Sequence, residues 1–257
     1  MILVLDIGNT NIVVGCLDEK RTYFVSRLAT DRNKTEDEYA IHLKNILELY
    51  NISPTDLEGS ILSSVVPPIT YAIKSATQKL IKKTPLIVGP GIKTGLNITI
   101  DNPAQLGSDL VVDAVAALAQ YQPPLIIIDM GTATTISVIN KNGHYAGGMI
   151  IPGVKVSQEA LTSRTSQLPS ISLEAPAKVV GKNTIDCMKS GLVYGNAAML
   201  DGLIERIQHE IGTNATVLAT GGLSKSIVSH CKQDIIYDDD LLLKGLRHLY
   251  YKNTKSS

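Results

Sequence analysis

Tryptophan is absent from the 257 residues, phenylalanine occurs once, and aromatic residues make up 4% of the chain. A core made from this sequence has to be aliphatic. No sign of charge prevails: 24 Lys and Arg stand against 24 Asp and Glu. That balance argues against a broad basic surface for nucleic acid or an anionic membrane, though a local patch remains compatible with it. Cysteine is scarce and odd in number, and Cys16, Cys187 and Cys231 have no metal-ligand spacing, which speaks against a disulfide framework or a zinc site. His42, His144, His209, His230 and His248 are scattered and form no histidine metal cluster. No apolar run approaches the roughly 20 residues of a membrane span. The apolar start lacks a basic leader and is broken early by Asp6, so it is not expected to be a signal peptide. The expectation is a soluble, cytoplasmic protein of a reducing compartment, with neither nucleic acid nor membrane as partner.

Aliphatic residues, by contrast, are plentiful. Apolar types make up 44% of the chain, enough for one large domain or two half-sized ones. The most telling stretch is the first, Met1-Ile2-Leu3-Val4-Leu5-Asp6-Ile7-Gly8-Asn9-Thr10-Asn11. A continuous apolar run reads as a buried strand. Asp6 falls where that strand meets solvent, and Gly8 lets the backbone bend and a ligand come close. Asn9, Thr10 and Asn11 offer amide and hydroxyl groups to phosphate oxygens. Ile12 to Leu17 runs back as a second strand, so the polar turn is a hairpin tip.

The design recurs. Leu125-Ile126-Ile127-Ile128-Asp129-Met130-Gly131-Thr132-Ala133-Thr134-Thr135 is again an apolar run, an aspartate, one apolar residue, a glycine and small hydroxyl residues, and Ile136 to Ile139 runs back. Internal repetition outranks other fold signals. Two acidic hairpins predict two similar half-domains facing each other across a cleft, a layout that resembles the actin-like, sugar-kinase and Hsp70-like ATPase superfamily.

Between and after the hairpins the pattern stays α/β. Thr22 to Leu28 reads as a third strand. Thr35-Glu36-Asp37-Glu38 opens a helix with an acidic first turn and with Tyr39, Leu43, Ile46 and Leu47 on one face. A strand over 61–66, a helix opened by Pro67-Pro68 and a short strand at 85–88 complete the first half. This β-β-β-α-β-α-β order is that of a ribonuclease-H-like half-domain. Gly89 to Gly95 is a glycine-rich loop but no P-loop, since no Gly-Lys-Ser/Thr follows. A helix from Leu106 to Tyr121 carries Gly107-Ser108-Asp109 in its first turn. The second half continues with strands at 144–151, 217–220 and 235–237 and helices near 154–162 and 183–211. Gly221-Gly222 opens another helix after a strand, and Asp238-Asp239-Asp240 reads as a cap before the last helix, not as a metal site. Lys252 to Ser257 reads as a polar tail. The expected fold is α/β: two duplicated ribonuclease-H-like halves of mixed sheet with flanking helices, 1–121 and 122–257.

Asp6, Asp109 and Asp129 all fall at strand ends or helix starts. Two such charges about 4 Å apart cost on the order of 4 kcal/mol at an effective dielectric near 20, so a shared site with a triphosphate needs cations. Magnesium suits phosphates and is held through water by one or two carboxylates. Phosphoryl transfer further needs a base for the acceptor's proton, and Asp109 at a helix start is the candidate. Gly221 and Gly222 offer a glycine turn and helix start for adenosine or an anion.

Taken in order, six loops resemble one family, type III pantothenate kinase: Asp6-Ile-Gly-Asn-Thr-Asn, Gly89-Pro-Gly-Ile-Lys-Thr-Gly-Leu-Asn with Asn102-Pro103, Gly107-Ser-Asp109, Asp129-Met-Gly-Thr-Ala-Thr-Thr, Gly147-Gly-Met-Ile-Ile-Pro-Gly and Gly181-Lys-Asn-Thr184. The resemblance implies ATP-dependent phosphorylation of pantothenate, the first step to coenzyme A. It implies a nucleotide site over Asp6, Ile7, Gly8, Asn9, Thr10, Asn11, Ile12 and Val13 with Thr132, and magnesium held at Asp6 through water. It implies potassium or ammonium at Asp129 and proton acceptance by Asp109. Pantothenate would meet Ile100, Gly107, Ser108, Asp109 and Leu110, with Thr184 lent by the partner subunit of a homodimer. Two positions depart from the family: Leu110 stands where an arginine grips the pantothenate carboxylate, and Ile100 where a tyrosine is usual. Asn is also usual at Asp113. Lys93 or Arg164 could supply the lost cation. Two rivals remain at this stage: a non-catalytic transcriptional activator of the same family, and an actin-like kinase for another hydroxylated small molecule.

Overall fold

The computed structural model describes residues 1–254. The opening apolar run forms β1 (Ile2–Ile7), the middle strand of a five-stranded sheet. It pairs antiparallel with β2 (Asn11–Leu17), which pairs antiparallel with β3 (Thr22–Ala29). On its other side β1 runs parallel to β4 (Gly59–Ser64), and β4 to the short β5 (Leu86–Ile87). Both faces of β1 are buried, which is why the run does not alternate. Leu3, Leu5 and Ile7 share one cluster with α1 (Glu36–Leu49) and α2 (Pro67–Ile81), while Ile2 and Val4 share another with Val112, Leu243, Leu246 and Leu249. Full burial of such aliphatic side chains is worth about 1.5–3 kcal/mol each.

The start of α1 is as the sequence predicts. Thr35 and Glu38 close a reciprocal capping box, and Tyr39, Leu43, Ile46 and Leu47 form the buried face. Pro67 and Pro68 open α2, where their missing N–H groups leave no intrahelical bond unmade.

The second sheet repeats the first. Its order is β11-β10-β7-β8-β9-β6. Here β7 (Leu125–Met130) takes the part of β1, β8 (Ala133–Ile139) and β9 (His144–Pro152) form the antiparallel meander, and β10 (Thr216–Thr220) and β11 (Ile236–Tyr237) are the parallel additions. Ile126, Ile128 and Met130 pack against Val154 of α4 (Val154–Arg164), Ile227 of α6 (Ser224–Val228) and the inner face of α5 (Thr184–Ile211). The expected duplication into two mixed-sheet halves is present. The core is aliphatic apart from Phe24, Tyr39, Tyr145 and Tyr250.

Three features differ from the sequence reading. First, β6 (Asn97–Ile98) adds a two-residue edge strand parallel to β9, too short to leave a period in the sequence. Second, α3 (Ser108–Gln120) begins at Ser108, because Pro103–Gln105 forms a separate 3₁₀ turn. Third, Lys252 to Thr254 continue α7 (Leu241–Thr254); the rest of the expected tail lies outside the described residues.

The chain divides into two compact units, but not by one cut at 121/122. The first comprises Met1–Leu96, Ala104–Ala116 and the stretch from Leu241 onward; the second comprises Asn97–Pro103 and Ala117–Asp240. Residues 97–103 join the second unit through β6. The last helix returns to the first because Leu243, Leu246, Leu249 and Tyr250 complete the back of its sheet.

Candidate active site

In the first unit, parallel register sets Asp6 of β1 beside Ser63 of β4 and Ile7 beside Ser64. Those serines hold the start of α3. The Ser108 hydroxyl donates to the Ser64 carbonyl (3.0 Å), accepts from the Ser64 N–H (3.2 Å) and shares a hydrogen bond with Ser63 Oγ (3.0 Å). Asp6 and Asp109 are thereby brought to one end of one unit. Sequence reading passed over Ser63 and Ser64; two hydroxyl residues in a row after Ile61 and Leu62 were the available signal.

Burial raises the Asp109 carboxyl above its ordinary value of 3.8, against the lowering effect of hydrogen bonds from the Leu110 and Asp109 N–H groups. The Leu110 N–H donates to Asp109 Oδ1 at 2.9 Å. Gly107 makes room for this carboxylate, since a Cβ there would lie 2.4 Å from Oδ1. A carboxyl with a raised pKa is a stronger base, as a general base requires.

The hairpin tip between β1 and β2 is tightly built. The Gly8 N–H donates to the Asn11 carbonyl (3.0 Å), the Thr30 N–H to the Thr10 carbonyl (3.0 Å), and Thr30 Oγ1 to the Gly8 carbonyl (2.6 Å). Asn9, Thr10 and Asn11 are exposed and can donate to a ligand. Ile7 and Ile12 are buried at 0% and 1% exposure, so only their backbones could meet a nucleotide. Val13 is half-buried.

The second hairpin copies this geometry, one residue shorter. The Gly131 N–H donates to the Ala133 carbonyl (3.0 Å), and the Gly153 N–H to the Thr132 carbonyl (3.2 Å) as Thr30 does to Thr10. Thr132 is exposed at the tip. Asp129 pairs with Thr220 of β10 and with Thr135 of β8. Gly221 has φ of +93°, and a Cβ there would lie 2.4 Å from Asp129 Oδ1, so only glycine lets this turn pass the carboxylate. Gly222 is exposed with open space around it.

The residues expected to meet pantothenate are divided between the units. Gly107, Ser108 and Leu110 are half-buried at the start of α3, while Ile100 is half-buried in the second unit. Thr184 opens α5 and is exposed; the Asn183 amide oxygen caps that helix by accepting from the Asp186 N–H at 2.9 Å. Lys93 is exposed in a loop fixed by Asn253, whose side chain accepts from the Lys93 N–H (2.9 Å) and donates to its carbonyl (3.1 Å). Arg164 is exposed at the end of α4. Asp113 is buried.

Other chemistries fit less well. Burial pushes the Cys16 thiol up to about 11 and the Cys231 thiol to about 12, so neither is a ready thiolate. Among the described residues no three His, Cys, Asp or Glu side chains gather as a metal cage. Asp238 instead accepts from the Asp240 N–H at 3.1 Å ahead of α7, as a local cap.

Comparison with solved structures places the fold. One described as a Baf family transcriptional activator from Campylobacter jejuni matches with a TM-score of 0.60 at 21% identity, covering 99% of this chain and 100% of that one. MreB 5 of Spiroplasma citri bound to AMPPNP matches at 0.58 and 11% identity, covering 99% and 97%. At such identities the likeness is one of fold alone. Fold and duplicated acidic hairpins together define the actin-like ATPase and sugar-kinase fold class. Within that class, the profile of type III pantothenate kinase matches residues 2–206. Type III pantothenate kinases of Bacillus cytotoxicus and of an Exiguobacterium species are 48% and 47% identical over 253 and 255 residues, covering 98% and 99% of this chain and 97% and 100% of theirs. The chain belongs to the type III pantothenate kinase family.

Proposed function

We propose that the chain transfers the γ-phosphoryl group of ATP to the primary hydroxyl of pantothenate, opening coenzyme A biosynthesis. One observation carries the mechanism: three hydrogen bonds from Ser108 hold α3 to the end of β4, and so set Asp109 at the strand end that bears Asp6. Asp109 takes the hydroxyl proton as that oxygen attacks the γ-phosphorus. The bond to the β,γ-bridging oxygen breaks, and ADP leaves. The Gly8–Asn11 hairpin and Thr132 bind ATP, and Gly221 and Gly222 admit the nucleotide.

A kinase of this fold works with a divalent metal and ATP, and magnesium fits the residues present. Asp6 offers hard oxygen donors, and the absence of an all-protein cage among the described residues suits an ion that keeps its waters and binds one or two carboxylates plus phosphates. When bound, magnesium neutralises charge on the phosphates. Asp129 is the proposed holder of potassium or ammonium. Thr135 sits directly opposite it across the β7–β8 ladder, where side chains share a face, and Thr135 Oγ1 is buried without a hydrogen-bond partner among the described residues. An ion with a carboxylate and a hydroxyl oxygen as ligands would satisfy it.

The working form is proposed to be a cytoplasmic homodimer in which Thr184 reaches the pantothenate of the partner subunit. Exposed Val179, Val180 and Ile185 around Thr184 supply apolar surface for that contact, and the free cysteines accord with a reducing compartment. Lys93 is the proposed counter-charge to the pantothenate carboxylate in place of the arginine absent at Leu110. Ile92 beside it packs on the cluster that holds Val112 of α3.

Leu110 and Ile100 are the observations that favour a second reading, a regulator that has lost its acceptor. An ADP-coupled assay with pantothenate and a panel of hydroxylated acids and sugars separates the two. Phosphorylation of pantothenate ahead of the panel is expected; turnover on none of them, with ATP still bound, would favour the regulator.

A further inference from the structure

The first hairpin tip has no cation of its own: Gly8, Asn9, Thr10 and Asn11 are all neutral, and Asp6 behind them is an acid. A triphosphate carries about four negative charges, so neutral donors and one divalent ion leave an excess. The chain supplies a guanidinium at this spot. Arg32 Nη2 donates to Asn9 Oδ1 at 3.4 Å, across 23 positions of sequence.

The segment bearing Arg32 is held from both sides. Thr30 is bonded to Thr10 and Gly8 of the tip, as above. The Asp31 carbonyl accepts from the buried Tyr39 hydroxyl at 2.6 Å, and Asp31 Oδ1 accepts from the Asn33 N–H at 2.9 Å. Thr35 then caps α1. Thr30 is thus fixed to the hairpin and Asp31 to the helix, while Arg32 itself is exposed. Its hydrogen bond to Asn9 is long and uses one of five N–H donors, so the group is placed without being consumed. An arginine in that state is fitted to grip phosphate oxygens, often two at once.

We infer that Arg32 is a phosphate-binding residue, recruited through Asn9 to the terminal phosphates of ATP. This rests on the proposed function for the identity of the ligand. The guanidinium would neutralise charge at the hairpin in the ground state and hold it as charge shifts toward ADP.

The test compares Arg32→Ala, Arg32→Gln and Arg32→Lys with the wild type, by steady-state kinetics and by binding of a non-hydrolysable ATP analogue, ADP and AMP. Loss of one charge-assisted contact predicts a fall of about tenfold or more in kcat/KM for ATP in Arg32→Ala and Arg32→Gln. Analogue binding should weaken more than AMP binding, KM for pantothenate and thermal stability should stay unchanged, and Arg32→Lys should recover part of the loss. Asn9→Ala, which removes the tether together with the Asn9 amide donor of the hairpin, should weaken ATP binding in the same direction. Wild-type ATP kinetics in Arg32→Gln, or an equal loss for ATP and AMP, would overturn the assignment. A wild type that binds the analogue but phosphorylates nothing would remove the proposed function and leave Arg32 to be judged on binding alone.

Discussion

Asp109 combines two properties that are usually in conflict, a carboxylate at the start of a helix and a carboxyl with a raised pKa. Because the folded chain holds that proton more tightly than the unfolded one, the group's contribution to stability is intact at low pH. It is lost as pH rises through the raised value. The proposed base works only when ionised, so kcat/KM should fall as pH drops through the same raised value. Asp109→Asn should lower kcat by about a hundred- to ten-thousand-fold, yet at neutral pH it should unfold at the same temperature as the wild type or higher. A wild-type rate in this variant would refute the base assignment, and a large drop in melting temperature would mark the residue as structural. Sequence marked Asp109 as a candidate because it follows Gly107-Ser108 at a helix start; its raised pKa was not legible, since burial depends on what packs around it.

At the scale of elements, the decisive joint is the one between β4 and α3. Ser108→Ala removes all three hydrogen bonds to Ser63 and Ser64 and leaves the Ser64 N–H short of this partner. The expected cost is about 1–3 kcal/mol of stability, measured by denaturant unfolding, together with a lower kcat because Asp109 is no longer fixed. Unchanged kcat with reduced stability would mean that the joint supports the fold alone. The elements themselves were mostly readable: the apolar run of β1, the acidic cap of α1 and the proline start of α2 each follow from local chemistry. Ser63 and Ser64 were not, because their role exists only where α3 arrives.

At the scale of the whole molecule, potassium dependence and subunit sharing can be tested directly. Replacing potassium with sodium should lower the rate, and Asp129→Ala should abolish that difference; equal wild-type rates in both salts would count against the cation site. If Thr184 acts on the partner's pantothenate, mixing and reassembling Asp109→Asn with Thr184→Ala subunits should restore activity that neither has alone. Each mixed dimer of two-fold design then contains one complete site. No recovery would place Thr184 in its own subunit's site or outside it.

By itself the sequence determined the duplicated α/β architecture, the two acidic hairpins and the family, because these are written in local apolar runs, glycine turns and short motifs. Only the tertiary structure decided that α7 closes the back of the first sheet, that residues 97–103 belong with the second, and that Ser63, Ser64 and Arg32 reach Ser108 and Asn9. Such contacts join positions 23 to more than 200 apart, and no local pattern of polarity encodes which distant surface a side chain will meet.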